Sequence, residues 1–160
     1  MMKNSYDIDL KGRNYGDLIF ETEYWTIFLA PNQSNIGTCV IVLKRRCGTL
    51  KGLKGEEWLD FGKIVKKLEC SLESAFKPVM FNWGALMNAD YLVENPDPHM
   101  HWHLIPRYKE KIQFQGLIFE DRYFGSMEPR PIKIREVPEN VREKIIEKIR
   151  ENIKGTDSTI

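Results

Sequence analysis

The three histidines of this chain, His99, His101 and His103, lie within five consecutive residues of a sequence of 160. Alternate side chains of a β-strand point to the same face, so an extended segment would place the three imidazoles on one face and Met100 and Leu104 on the other. Neutral imidazole is a nucleophile toward phosphorus, and neighbouring imidazoles can donate hydrogen bonds to phosphate oxygens in the transition state. The spacing predicts nucleophilic catalysis by the central histidine, with its tautomer set by a backbone carbonyl that accepts from Nδ1.

Two other interpretations of this histidine run are open. Structural histidines that each bond a backbone group are ordinarily dispersed along a chain. A His-x-His strand can also present two imidazoles to zinc or iron. The nearest carboxylates, Glu94 and Asp97, lie in the segment ahead, and their spacing does not place them on the histidine face. We therefore expect no metal ligands and no cofactor, and keep a His-ligated metal site as an alternative.

The elements that must position the histidines follow from hydrophobic periodicity. Apolar residues recur in steps of three and four from Gly55 to Phe76, which predicts an amphipathic helix that ends before Pro78. Short β-branched and aromatic runs separated by turn formers predict strands. The predicted strands cover 24–30, 38–44, 79–87 and 99–105, with short strands within 115–119 and 131–134, a loop over 88–98 and a terminal helix over 138–154. The pattern is typical of an α+β domain with a mostly antiparallel sheet.

Composition excludes several classes of partner. The 24 basic and 23 acidic residues give a formal charge of +1, so we expect no nucleic-acid or membrane partner. No apolar run is long enough to span a bilayer. The three cysteines are odd in number and lack Cys-x-x-Cys spacing, which is typical of reduced thiols. The expectation is a single cytoplasmic domain over residues 1–160.

The run from His99 to Ile105 has the form His-φ-His-φ-His-φ-φ, with φ apolar, and resembles the signature of the histidine triad (HIT) superfamily of nucleotide hydrolases and transferases. The "PRY" that follows is similar to the continuation in that superfamily. The segment 18–31 resembles its first strand pair, which lines the nucleoside pocket, and 37–45 is similar to the next strand. The resemblance covers a core of residues 17–108 and leaves 109–160 as a C-terminal extension that ends in a helix.

The resemblance implies a HIT-like α+β fold, usually a homodimer. It implies hydrolysis of a dinucleoside polyphosphate, such as a diadenosine polyphosphate, or of a nucleoside monophosphate conjugate. The reaction would pass through a nucleotidyl-histidine intermediate and need no metal. Carried over by position, His101 is the nucleophile, His99 orients the nucleophilic strand and His103 bonds a phosphate oxygen. A nucleotidyltransferase or phosphorylase of the same superfamily and a non-catalytic nucleotide-binding module are the alternatives.

The resemblance also implies residues that contact substrate. Asn88 lies at the distance before the histidines where many members have a substrate-binding asparagine, and Asn82 resembles a second such position. Ala30 stands where a ribose-binding acidic residue is expected, which leaves Asn32 as a weaker substitute. Either of the first two asparagines could instead satisfy a turn.

Three further candidates come from residue type. Arg107 could meet a polyphosphate as a rigid fork of donors, although most arginines are simply exposed. Phe20 and Phe28 could wall a base pocket by stacking, although aromatic residues in strands are at least as often core.

Two departures from the family pattern concern proton transfer. Many HIT hydrolases have Gly-Gln-Ser/Thr before the first histidine, where a hydroxyl helps protonate the leaving group. This chain has Asn95 and Pro96 there, so the donor is unassigned. A fourth histidine commonly follows a glycine in an earlier strand, but Thr38 follows Gly37 here.

Overall fold

The computed structural model describes residues 13–126 and 135–156, with side chains as far as Ile153. Its main feature is a five-stranded sheet in which every neighbouring pair is antiparallel, in the order β1-β2-β3-β5-β4. The strands are β1 Asp17–Glu21, β2 Trp25–Leu29, β3 Cys39–Leu43, β4 Met80–Gly84 and β5 His101–Arg107. A separate hairpin pairs β6 Ile112–Phe114 with β7 Leu117–Phe119. The helices are α1 Gly55–Phe76 and α2 Glu139–Thr156, with short 3₁₀ turns at Leu50–Gly52 and Asn88–Tyr91. The α+β class predicted from sequence is confirmed.

One face of the sheet, the helix face, packs against α1. The buried stripe of α1 includes Phe61, Ile64, Leu68 and Leu72, the spacing that places side chains on one side of a helix. These side chains belong to one core cluster with alternate residues of the strands, among them Ile27, Ile41 and Leu104. α2 packs on α1 through Val141, Ile145 and Ile149, which are buried in the same cluster. The sheet is therefore covered by helices on this side.

The ends of α1 are set by local chemistry. The Glu57 carboxylate accepts the backbone N–H of Lys54 at 2.8 Å and satisfies a donor that the first helical turn leaves without an intrahelical partner. The Arg45 guanidinium donates to both oxygens of the same carboxylate, at 2.7 and 2.9 Å, and holds the pKa of Glu57 below its usual range. At the other end α1 stops before Pro78, as the sequence predicted, and Lys77 adopts a left-handed conformation (φ 55°).

The opposite face, the histidine face, carries His101 and His103 and a second, smaller apolar cluster. Antiparallel pairing sets His101 opposite Val42 and His103 opposite Val40. Val40 in turn pairs with Phe28 of β2, so these side chains stand on the same side of the sheet. Tyr15, from the segment before β1, packs into this cluster. No helix covers the histidine face in the described part of the chain, which leaves room for a pocket.

The predicted elements agree with the structure except at their boundaries. The hairpin of β2 and β3, the helix over 55–76 and a terminal helix are confirmed. The strand predicted over 99–105 begins instead at His101. The Met100 carbonyl still accepts from the backbone N–H of Leu43, at 3.0 Å, but the Met100 N–H leaves the ladder and donates to the Cys47 carbonyl, at 2.7 Å. Within 115–119 only Leu117–Phe119 is a strand. The strand predicted over 131–134 lies outside the described residues. Neither helix of the described chain is long and apolar enough to cross a membrane.

Candidate functional site

Strand β5 places the apolar side chains of the histidine run on one face of the sheet and two of its histidines on the other. Met100 and Leu104 are fully buried in the core on the helix face. His101 and His103 point to the other side, and both line a pocket of about 1040 Å³. The alternation predicted from sequence is therefore present for these two histidines. It follows directly from the two-residue repeat of a strand whose one face packs on a core.

The orientation of His101 is set by the backbone just before it. Its Nδ1 lies 2.7 Å from the carbonyl oxygen of His99. A carbonyl can only accept, so Nδ1 carries the proton and donates it to this bond. In the neutral ring Nε2 then holds the lone pair, and the ring as a whole is 7% exposed. The backbone carbonyl predicted to fix the tautomer is thus present.

His103 stands beside the nucleophile candidate. The His101 and His103 ring centroids are 5.0 Å apart, with the rings nearly perpendicular. Burial and the neighbouring His101 lower the pKa of His103 to about 4. His103 is therefore neutral at neutral pH and carries a single N–H, and a hydrogen bond of its ring with the Leu86 backbone opposes the lowering of the pKa.

His99 has a different position from the other two histidines. It precedes β5, is 2% exposed and does not line the pocket. Its Nε2 lies 2.6 Å from the carbonyl oxygen of Leu43 and its own carbonyl accepts from His101. Burial lowers the pKa of His99, so its ring is held neutral. The expectation that all three imidazoles line one open face is corrected: His99 links the end of β3 to the ring of His101.

The pocket is assembled from several segments that lie far apart in the chain. Its floor is formed by β3 and β5, with Val40 and Ile105 beside the two histidines, and one side by residues 30–38 after β2. Asn14 and Tyr15 lie at the end where His101 sits, because the Tyr15 ring centroid is 5.3 Å from that of His101. The far wall comes from residues 118–123 together with Arg135.

Of the predicted substrate residues, Asn32 lines the pocket and Phe28 lies in its floor cluster. The Asn32 Oδ1 atom accepts from the backbone N–H of Ser34, from the Ser34 hydroxyl and from the backbone N–H of Arg135, at 3.0, 2.7 and 3.0 Å. Its carbonyl is engaged within the protein, so the side chain can offer a ligand only its N–H donors. Phe28 is 4% exposed and stacks on Tyr15, which separates it from the open pocket.

Phe20 does not wall the pocket, and this expectation is corrected. Leu18 pairs with Phe28 on the histidine face, but the register of β1 shifts at the next residue and Phe20 pairs with Ile27. Such a β-bulge moves the following side chain to the other face. Phe20 therefore packs against the core on the helix face.

Arg107 is likewise not placed to meet a polyphosphate. It is 3% exposed, and its guanidinium donates to both carboxylate oxygens of Asp121, at 2.6 and 3.2 Å. It also donates to Asn82 Oδ1 and to the carbonyl of Tyr123, each at 2.7 Å. Asn82, a predicted substrate contact, is thus a partner of this buried ion pair. Asn88 is exposed in a 3₁₀ turn and does not line the pocket.

The sequence reasoning missed the part of the site supplied by remote segments. Tyr15 precedes the first strand, and Glu120, Asp121, Arg122 and Tyr123 follow the family-like core. The "NYG" stretch, with its turn-forming glycine, was the only local signal for Tyr15. Residues 118–123 carry no periodic signal that would connect them to β5, because the buried ion pair that holds them there joins Arg107, at the end of β5, to Asp121, fourteen residues later.

The donor set in the described residues does not form a metal centre. Residues 13–126 and 135–156 contain no group of three or more His, Cys, Asp or Glu side chains that could hold a metal ion. His99 is turned toward the Leu43 carbonyl, so at most two imidazoles face the pocket.

Comparison with known proteins gives a family match over most of the chain. The model of the HIT domain matches residues 11–110. A hypothetical histidine triad nucleotide-binding protein from Sulfolobus tokodaii has a TM-score of 0.66 at 18% identity, with 94% of this chain and 91% of that one covered. A zinc-bound histidine triad family protein from Mycobacterium smegmatis has a TM-score of 0.59 at 15% identity, over 88% and 86%. A HIT family protein from Bacillus anthracis has a TM-score of 0.50 at 27% identity, over 65% and 72%. No curated protein matches this sequence.

Proposed function

The chain belongs to the HIT domain family, and from that premise we propose that it is a nucleotide hydrolase that acts through a nucleotidyl-histidine intermediate. The substrate class is a dinucleoside polyphosphate or a nucleoside monophosphate conjugate. The observation that carries the proposal is the hydrogen bond of 2.7 Å from His101 Nδ1 to the His99 carbonyl, which makes Nε2 the nitrogen that holds the lone pair in the neutral ring. The pocket volume of about 1040 Å³ supports it, because ligand sites of drug-sized molecules commonly occupy roughly 300–1,000 Å³.

The proposed reaction has two displacements at phosphorus. The Nε2 lone pair of His101 attacks the nucleoside 5′-phosphoryl group, and the bond from phosphorus to the leaving group breaks. The imidazole becomes cationic in this intermediate, and the His99 carbonyl that accepts from Nδ1 stabilises the charge. Water then attacks phosphorus, the P–N bond breaks and the nucleoside monophosphate is released. In this proposal His103, which lines the pocket beside His101, turns its ring N–H from the Leu86 backbone to a phosphate oxygen when substrate binds.

Substrate recognition in this proposal uses the pocket on either side of His103. The nucleoside would lie over the apolar floor that includes Val40 and Ile105. Asn32 would donate from its amide to a ribose oxygen, since its carbonyl is already engaged. Residues 118–123 would close the nucleotide from the far side.

The decisive experiment measures release of AMP from a panel of diadenosine polyphosphates in the presence of a metal chelator. We expect turnover by the native chain and none by His101→Ala, with AMP affinity, measured by calorimetry, nearly unchanged because the pocket walls remain. Acid-labile, alkali-stable labelling of the protein by a nucleotide should appear only when His101 is present. Turnover that survives His101→Ala, or that collapses with chelator, would overturn the mechanism.

The same assay separates the other members of the functional class. Added inorganic phosphate that diverts the product from AMP to ADP would identify a phosphorylase or transferase, which shares the intermediate but uses a different acceptor. Tight AMP binding without any labelling or turnover would identify a nucleotide-binding module. With either outcome the pocket lined by His101 and His103 would still be the proposed nucleotide site.

We further propose that the protein acts in the cytoplasm as a homodimer. The three cysteines carry free thiols, which supports a reducing compartment. β4 is an edge strand of the sheet, and Val79 just before it and Met80 at its start are 61% and 44% exposed. Trp58 on α1 is 42% exposed as well. An edge strand with exposed apolar neighbours is a surface that a second copy could cover.

A further inference from the structure

The leaving group in the proposed reaction needs a proton donor. The hydroxyl groups that line the pocket are the candidates, and their hydrogen-bond partners distinguish them. Four hydroxyl-bearing side chains of the described residues line it: Tyr15, Ser34, Thr38 and Tyr123. The Ser34 hydroxyl donates to an asparagine carbonyl at 2.7 Å, and the Thr38 hydroxyl donates to a backbone carbonyl at 2.6 Å. Their protons are therefore already engaged in the protein. Of the two tyrosines, only Tyr15 has a ring contact with His101.

Packing contacts hold the Tyr15 side chain against His101. Its ring is 8% exposed, stacks on Phe28 with centroids 6.2 Å apart, and lies 5.3 Å from the His101 ring. Gly16 makes this position possible. It adopts φ 113°, and a Cβ there would lie 1.8 Å from the carbonyl oxygen of Leu29. Only glycine allows the chain to turn this close to β2 and direct the preceding side chain onto the histidine face.

A guanidinium accompanies the Tyr15 hydroxyl. Arg13 Nη1 donates to Tyr15 Oη in a long contact of 3.5 Å, in which the phenol oxygen is the acceptor. Arg13 is held in place by Asp90, at 3.0 Å, and by the carbonyl of Asp97, at 2.8 Å, in the loop that leads to the histidines. A fixed positive charge beside the oxygen stabilises the anion that remains when the proton is transferred.

We propose that Tyr15 is the proton donor to the leaving group, in place of the absent Ser/Thr hydroxyl. This assignment rests on the proposed function. As His101 Nε2 bonds to phosphorus and the bond to the leaving group breaks, the Tyr15 O–H proton passes to the departing atom. Arg13 stabilises the resulting tyrosinate. When water attacks the intermediate, its proton returns to the Tyr15 oxygen and the electron pair of the P–N bond returns to His101.

The test exploits the need of different leaving groups for a proton. The p-nitrophenyl ester of AMP releases a stable anion without protonation, whereas the phenyl and benzyl esters need progressively more help from an acid. For Tyr15→Phe in the full chain we expect kcat/KM to fall by less than about threefold for the p-nitrophenyl ester but by about 10²- to 10³-fold for the benzyl ester. Arg13→Gln should show the same dependence at smaller amplitude, because it acts through Tyr15 as a positioning residue.

Tyr123→Phe is the matched control, since it removes the other tyrosine hydroxyl of the pocket and should leave the ratio between the esters as in the native chain. An equal loss on all three esters by Tyr15→Phe would overturn the donor assignment and leave only a packing role, as would no loss on any. If His101→Ala still cleaved the p-nitrophenyl ester, the proposed function itself would fail, so the two failures are distinguishable. AMP affinity of Tyr15→Phe, expected within about threefold of native, confirms that the pocket is folded.

Discussion

Arg107 and Asp121 form a buried ion pair behind the far wall of the pocket, and loss of one charge alone is expected to destabilise the protein. The side chains are 4% and 1% exposed, and the closest N–O distance is 2.6 Å. In Arg107→Met the one hydrogen bond left to the Asp121 carboxylate among residues 13–126 and 135–156 is that from the backbone N–H of Tyr108, at 3.3 Å. Breaking such a pair costs about 3–5 kcal/mol, because an uncompensated charge stays buried.

The expected change in unfolding free energy is measurable by urea denaturation followed by tryptophan fluorescence. In a chain of this length a loss of about 3–5 kcal/mol corresponds to a fall in Tm of roughly 6 to 20 °C. Replacing both partners, Arg107→Met with Asp121→Leu, should recover at least half of the loss, because no charge is then buried without a partner. Arg122→Met is the control: its side chain is 72% exposed, so the change in stability should stay within about 0.5 kcal/mol.

Nucleotide binding distinguishes this structural role from contact with a phosphate. Arg107 also holds the Tyr123 carbonyl, so the wall formed by residues 118–123 should loosen in Arg107→Met and AMP affinity should fall together with stability. A variant of native stability that no longer binds AMP would refute the reasoning, because it would place the guanidinium on the ligand. A loss below about 1 kcal/mol would refute the burial of the pair.

Three further outcomes are expected. The pKa of His103 is about 4 in the folded protein and near 6.5 in the unfolded chain, so the folded state binds fewer protons between these pH values. The unfolding free energy should therefore decline by up to about 3 kcal/mol from pH 6.5 to pH 4. In urea titrations across this range His103→Gln should show a smaller decline, and a decline equal to that of the native chain would contradict the lowered pKa. Gly16→Ala should destabilise the chain by more than about 1 kcal/mol in the same titration, since its φ is positive and its Cβ would meet a carbonyl; native stability would count against that turn. Met80→Lys should shift sedimentation toward the monomer if β4 forms the dimer edge, and an unaltered dimer would place the interface elsewhere.

The local periodicities of the sequence predicted both helices, the strands β2 to β5 and the face of the sheet on which His101 and His103 lie, but not β1 or β6. The steps of three and four in 55–76 predicted α1 at its observed bounds, because one helical face must be apolar to pack on the sheet. The two-residue alternation predicted that His101 and His103 share a face opposite Met100 and Leu104, as they do. These signals are local, and a single sequence carries them without knowledge of remote partners.

The tertiary structure decided which candidates reach the pocket. A one-residue bulge in β1 sends Phe20 to the helix face, and no periodicity in the sequence marks it. Arg107 finds its partner fourteen residues later, at Asp121, which turns a candidate phosphate ligand into an anchor of the pocket wall. Tyr15 reaches His101 from outside the strands altogether. The sequence alone determined which face of β5 carries the two histidines of the pocket, because the alternation of side chains along a strand is local. The rest of the site depends on contacts between distant segments, which only the folded chain brings together.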